Sequence, residues 1–160
     1  MAVILPPFVF GPYIGEAKSP SEMNYTLKLF YDHVVDFNNL GRPNEALLSQ
    51  AIWVDVRDIS LSLVKSLSVA EVAGERVIVS AGGFTWQDWV DVANSLSPSP
   101  IPSHAPGTAK PLPRGHPGAG QAVQRGIVDG TKEQKIFGLK FRSMEECARD
   151  VLADFERRGF

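Results

Sequence analysis

Three histidines, one cysteine and a scatter of carboxylates are the residues best equipped for chemistry, and their spacing limits what they could do. His33, His104 and His116 have no second histidine or cysteine at i+3 or i+4, so they lack the clustered ligands a zinc site needs. His33 reads as a helix-surface residue and the other two as loop residues. Cys147 lies in the apolar stripe of the last helical segment, where a thiol behaves as a small hydrophobe rather than a nucleophile. Asp55 and Asp58 flank Arg57 and read as a local ion pair and a helix cap, not an acid–base pair. Gly115-His-Pro-Gly118-Ala-Gly120 comes nearest to a phosphate loop, but prolines rather than a strand precede it and the spacing is wrong, so it reads as a turn. The residues by themselves assign no catalytic residue and no metal ligand.

The elements that would hold these residues alternate between strand and helix. Val3-Ile-Leu5 is a buried strand that the Pro6-Pro7 pair stops by removing two donors. Leu27, Phe30, Tyr31, Val34 and Phe37 recur at helical spacing and predict a helix over about 24–38, ended by Gly41 and Pro43. Ile52 to Val56 forms a short strand, and Asp58 then caps a helix with Ile59, Leu63 and Leu67 on its apolar face. Arg76 to Ser80 is a second buried strand. Thr85 caps a helix carrying Trp86, Trp89, Val90 and Ala93.

Residues 97–120 hold seven of the 12 prolines and read as an irregular, mobile loop. A short helix opens at Asp129-Gly130-Thr131, and Ser143 to Glu146 has capping-box form ahead of Met144, Cys147, Ala148, Val151, Leu152 and Phe155. Alternating strands and helices indicate an α/β fold, yet two strands cannot make a sheet that buries itself.

Composition excludes several function classes. A net charge of −2 from 16 Lys plus Arg and 18 Asp plus Glu, with no long run of either sign, argues against a nucleic-acid groove. No apolar run is long enough to span a bilayer, and the start lacks the basic region of a secretory signal. The single cysteine allows no internal disulfide, and a cytoplasmic protein is the expectation.

The order of segments resembles a family. VILPPFVFGP, WVDVRDIS at 53–60, GERVIVSAGGFTWQDWVD at 74–91, DGTK at 129–132 and FGLKFRSMEE at 137–146 look like the C-terminal half of the extended short-chain dehydrogenase/reductases, also called the NAD-dependent epimerase/dehydratase family. The similarity is greatest to the branch of ketoreductases, cinnamoyl-CoA reductases and dihydroflavonol reductases. The resemblance implies the last strands of a Rossmann-type parallel sheet plus a small helical substrate-binding region at 1–160, with the N-terminal cofactor half missing. Residues 1–12 would be a late strand and turn, 97–120 a loop bordering the substrate cleft with His104 to Leu112 as an insertion, and 129–158 the C-terminal helices.

The resemblance also implies NADP or NAD as cofactor and a small carbonyl compound as substrate. The backbone of Pro6, Pro7 and Val9 would lie beside the nicotinamide carboxamide, and Phe8 would point into the substrate pocket and favour an apolar or aromatic aldehyde or ketone. The family's catalytic Tyr-x-x-x-Lys pair has no counterpart: Tyr13 is followed four residues later by Ala17, Tyr25 by Leu29 and Tyr31 by Val35. Its glycine fingerprint is absent too. Two readings follow: the substrate-binding half of a carbonyl reductase, inactive alone, or a non-catalytic binding module derived from one. Either leaves a sheet edge exposed, through which copies would associate.

Overall fold

The computed structural model describes residues 1–160. In chain order it contains β1 (Val3–Leu5), β2 (Phe8–Phe10), α1 (Tyr25–Val34), β3 (Gln50–Asp55), α2 (Val56–Lys65), β4 (Arg76–Ile78), β5 (Gly82–Thr85), α3 (Trp86–Ser95), α4 (Thr131–Ile136) and α5 (Met144–Arg158). Short 3-10 turns connect them. This is an α/β fold, as expected, but with five strands in two small sheets.

β1 and β4 form a parallel ribbon in which Ile4 faces Val77 across the ladder. β2 pairs parallel with β3, and β3 pairs antiparallel with β5. Both strands of the ribbon cross into the second sheet after a short break. Pro6 and Pro7 separate β1 from β2 because neither can donate to a ladder. The prolines thus stop one strand, as expected, and the chain at once starts another that the sequence reading did not foresee.

On the other strand, Val79 N–H bonds Leu5 carbonyl (3.2 Å) and Ala81 N–H bonds Trp53 carbonyl (2.8 Å), handing the chain to β5. β5 was also unforeseen, since Gly82-Gly83 resembles a stop. Gly82 takes φ +122°, open to glycine without strain, and this lets the turn and the strand overlap.

Two cores follow from this division. The larger surrounds β2, β3 and β5 with α1, α3 and α5, and is dominated by Phe10, Phe30, Phe84, Trp53, Trp89 and Phe155. Its rings meet mostly edge-to-face, as Trp53 and Trp89 do at 4.7 Å and 78°. The smaller core lies between the ribbon and α2 with α4, and is built from Val54, Ile59, Val77, Val79, Phe137 and Leu139.

Helix boundaries obey local chemistry. Asn24 caps α1 by accepting Leu27 N–H (3.0 Å), and α1 ends at Val34, with a 3-10 turn at Phe37–Asn39 replacing the rest of the expected 24–38 helix. Thr85 with Asp88 and Ser143 with Glu146 form complete capping boxes for α3 and α5. α5 stops at Gly159, whose φ of +74° is a left-handed C-cap.

The cap of α2 is Asp55, not Asp58. The strand runs directly into the helix, so the cap falls three residues earlier. The apolar face of α2 also differs from expectation: Ile59 is buried, while Leu63 is half exposed and Leu67 is 87% exposed. Leu61 and Val64 are exposed with them, so α2 turns an aliphatic face outward. One side of the ribbon is likewise open, since Arg76 and Ile78 are exposed while Val77 between them is fully buried. No helix is long and apolar enough to cross a membrane.

Candidate functional site

The Pro6-Pro7 break sits at the carboxyl end of the parallel β1–β4 ribbon, the end at which open α/β sheets bind ligands. Pro6 is exposed, while Pro7, Phe8 and Val9 are half-buried. Neither proline has an N–H, so the break offers carbonyl acceptors. The Val9 carbonyl is occupied by the Thr26 hydroxyl of α1, which donates to it at 2.7 Å. Pro6, Pro7 and Phe8 thus follow the carboxyl end of β1, while the Val9 carbonyl is tied to α1.

Phe8 leans on an aromatic bed. Its ring centroid lies 6.2 Å from Phe10 and 6.5 Å from both Phe84 and Trp86. On Trp86 stacks His33, 4.2 Å away and within 13° of parallel. His33 is thus not the surface residue its sequence position suggests. α1 carries it inward against α3, its Nδ1–H donates to the Leu29 carbonyl at 2.8 Å, and burial holds its pKa below the ordinary imidazole value. His33 and Thr26 are the functional candidates that sequence reasoning missed. Their spacing of seven residues, two helical turns, is the signal that could have shown them facing one strand.

The other histidines differ from each other. His104, within the Pro-rich loop, is buried, its Nδ1 2.9 Å from the Ser103 hydroxyl, and burial lowers its pKa. His116 is exposed, 3.6 Å from Glu45.

The carboxylates are structural. Asp55 is fully buried and accepts from Arg57 Nε (2.8 Å), Arg57 Nη2 (2.7 Å) and its own helix backbone. Burial alone would raise its pKa, but the Arg57 bonds outweigh it and hold the carboxyl below its usual value. The same guanidinium reaches Asp150 of α5, and its own pKa is raised, first by the Asp55 bonds. Beside them Cys147 is fully buried, and desolvation together with the Asp55 charge pushes its thiol well up, which leaves it inert.

The 97–120 loop is strapped down along α3. Gln87 is fully buried and donates to the Arg114 carbonyl (2.9 Å) while accepting His116 N–H (2.9 Å). Asn94 bonds the Pro113 carbonyl and Asp91 the Gly118 N–H. Ile101 and Leu112 are buried in the main core. Within the expected irregular loop, the polar face of α3 satisfies backbone groups at Pro113, Arg114, His116 and Gly118.

Gly115 and Gly120 serve close approach rather than phosphate. A Cβ at Gly115 would lie 2.2 Å from Gln87 Oε1, and one at Gly120 2.4 Å from Thr85 Oγ1.

A dinucleotide does not fit these residues alone. Its pyrophosphate needs free amides at a helix N-terminus, whereas α1, α2, α3 and α5 each have an N-cap side chain bonded to their first turn. At α2, α3 and α5 the caps include carboxylates, which repel phosphate. A surface groove of about 670 Å³, lined by Glu71, Glu75, Asp129, Lys132 and Lys135, lies at the opposite end of the ribbon, where Val3 N–H bonds the Glu75 carbonyl.

No family model matches the chain. Among curated proteins it is 26% identical over 160 residues to a putative uncharacterized oxidoreductase of Saccharomyces cerevisiae, covering 99% of this chain and 43% of that protein. It is 27% identical to a ketoreductase of Aspergillus niger, covering 95% and 42%, and 26% identical to the NADPH-dependent methylglyoxal reductase of Saccharomyces cerevisiae, covering 94% and 41%. Among solved structures, the yeast methylglyoxal/isovaleraldehyde reductase complexed with NADPH superposes with a TM-score of 0.75 at 24% identity, over 99% of this chain and 44% of the other. That likeness shows the fold. The homologues of this chain are oxidoreductases of the short-chain dehydrogenase/reductase family, and it spans about two-fifths of their length.

Proposed function

We propose that this chain is the substrate-binding portion of an NAD(P)-dependent, cytoplasmic reductase of apolar or aromatic aldehydes and ketones, inactive without a cofactor-binding portion. The observation that carries the reading is the pairing of near-complete coverage of this chain with two-fifths coverage of its reductase homologues. The half-built site agrees with it: an aromatic substrate bed at Phe8 and carbonyl acceptors at Pro6 and Pro7, with no phosphate cradle.

When bound, the nicotinamide supplies the hydride. In this reading Pro6 and Pro7 orient its carboxamide through their carbonyls, and the Thr26 bond to Val9 holds the strand in register beneath it. Phe8 presents an apolar wall that desolvates the carbonyl substrate. The proton donor comes from the portion carrying the Tyr-x-x-x-Lys pair.

Two measurements test this. Calorimetric titration of the 160-residue chain with NADPH is expected to show no micromolar binding and no turnover, and measurable turnover sinks the reading. Sequencing of the gene upstream of Met1 is expected to reveal a continuous frame encoding a glycine fingerprint and a Tyr-x-x-x-Lys pair. An in-frame stop there favours a non-catalytic binding module instead.

A further inference from the structure

The geometry points to His33 as a positioning residue for the Phe8 side chain, acting through the indole plane of Trp86. The inference rests on the reading of Phe8 as the substrate-facing wall and adds what sets that wall. α1 is tied to the neighbourhood of Phe8 at two points on one face. At its start Thr26 Oγ1 donates to the carbonyl of Val9, the residue after Phe8, and two turns later His33 stacks on Trp86, against which Phe8 leans.

Of the three rings around Phe8, Phe10 and Phe84 are fixed by strands paired to β3. Trp86 begins α3, and among its aromatic neighbours only His33 makes a stacked contact; Phe8, Phe10 and Phe84 meet it tilted or edge-on. The plane of Trp86 is therefore set from the His33 side.

The imidazole is itself held. Its Nδ1–H is committed to the Leu29 carbonyl, and Phe37 lies 6.1 Å from it. The charged groups acting on it are Lys28 and Asp32 of α1 and Arg42 of the following turn, while α3 presents the apolar Trp86. Protonation places a full charge in this stack and changes its contact with Trp86.

The test follows three resonances in the 160-residue chain: the His33 imidazole, the Trp86 indole N–H and a 4-fluorophenylalanine placed at position 8. In the wild type all three are expected to move together as pH falls below about 6.5. In His33→Phe, which keeps a ring on Trp86, the latter two should stay near their wild-type positions and lose the titration. In His33→Ser the position-8 fluorine signal should shift or broaden. A fluorine signal that ignores both pH and His33→Ser while the indole moves overturns the inference; the wild-type titration decides it even where a variant fails to fold. The substrate reading is judged separately, by aromatic aldehyde binding to the cofactor-complete reductase carrying Phe8→Asn. Unchanged binding there refutes the pocket role and leaves the coupling intact.

Discussion

Asp58 and Arg142 lie 84 residues apart and form one closed contact, in which the buried Asp58 carboxylate accepts both the Arg142 backbone N–H at 2.8 Å and its guanidinium. This contact fastens the segment leading into α5 to the first turn of α2. Asp58→Ala strands a half-exposed arginine and an unpaired backbone N–H, and should cost about 2 kcal/mol after allowing for solvent around the guanidinium. Urea unfolding checks it. A loss within experimental error would show that water replaces the carboxylate freely.

Gly115 takes φ +53°, and an added Cβ would strike both Gln87 Oε1 and Leu47 Cδ1. Gly115→Ala should therefore destabilise by roughly 2 kcal/mol, through strain and overpacking together. Gly107, at φ +89° with open space around it, is the internal comparison. Gly107→Ala carries only the backbone penalty of about 1 kcal/mol. Equal thermal shifts for the two variants would mean that the close approach to Gln87 does not matter.

His33 and His104 are both held below the ordinary imidazole pKa of 6.5, in each case chiefly by burial. The unfolded chain then binds protons that the folded chain refuses. The stability that the neutral rings contribute is complete above pH 6.5 and is lost as pH falls from there through the folded-state values. Stability measured from pH 8 to pH 5 should decline over the lower part of that range, and the decline should shrink in His33→Phe. A flat profile would contradict the burial of both rings.

The outward aliphatic face of α2, with Val64 at 64% exposure, the 87% exposed Leu67 just past its end, and the open side of the ribbon at Ile78 should make the isolated chain associate. Sedimentation velocity should show mass rising with concentration. Ile78→Lys, which charges the ribbon, should shift the chain toward monomer with little change in unfolding temperature. A monodisperse monomer at every concentration would speak against the fragment reading as well.

Phe8→Asn, made in a cofactor-complete reductase, should raise the KM for aromatic aldehydes several-fold while cofactor affinity stays within about twofold, since the carboxamide contacts come from backbone carbonyls. Steady-state kinetics with matched aromatic and small polar aldehydes decide it. An unchanged KM for both would remove Phe8 from the pocket.

Local signals in this chain are strong wherever a residue's partner is close in sequence. The Thr85 cap, the Ser143 capping box, the Arg57–Asp55 pair and the stripe from Cys147 to Phe155 are each complete within a few residues, so spacing alone determined them. The order of strand and helix segments likewise sufficed for an α/β fold and for the family resemblance. What tertiary structure decided involves partners far apart in sequence. Asp58 meets Arg142 instead of capping α2, His33 turns inward against Trp86, and Gln87 bonds backbone groups of the Pro-rich loop at Arg114 and His116. β2 and β5 are three and four residues long and exist only because β3 lies between them, and a strand that short has no periodicity for a sequence to display.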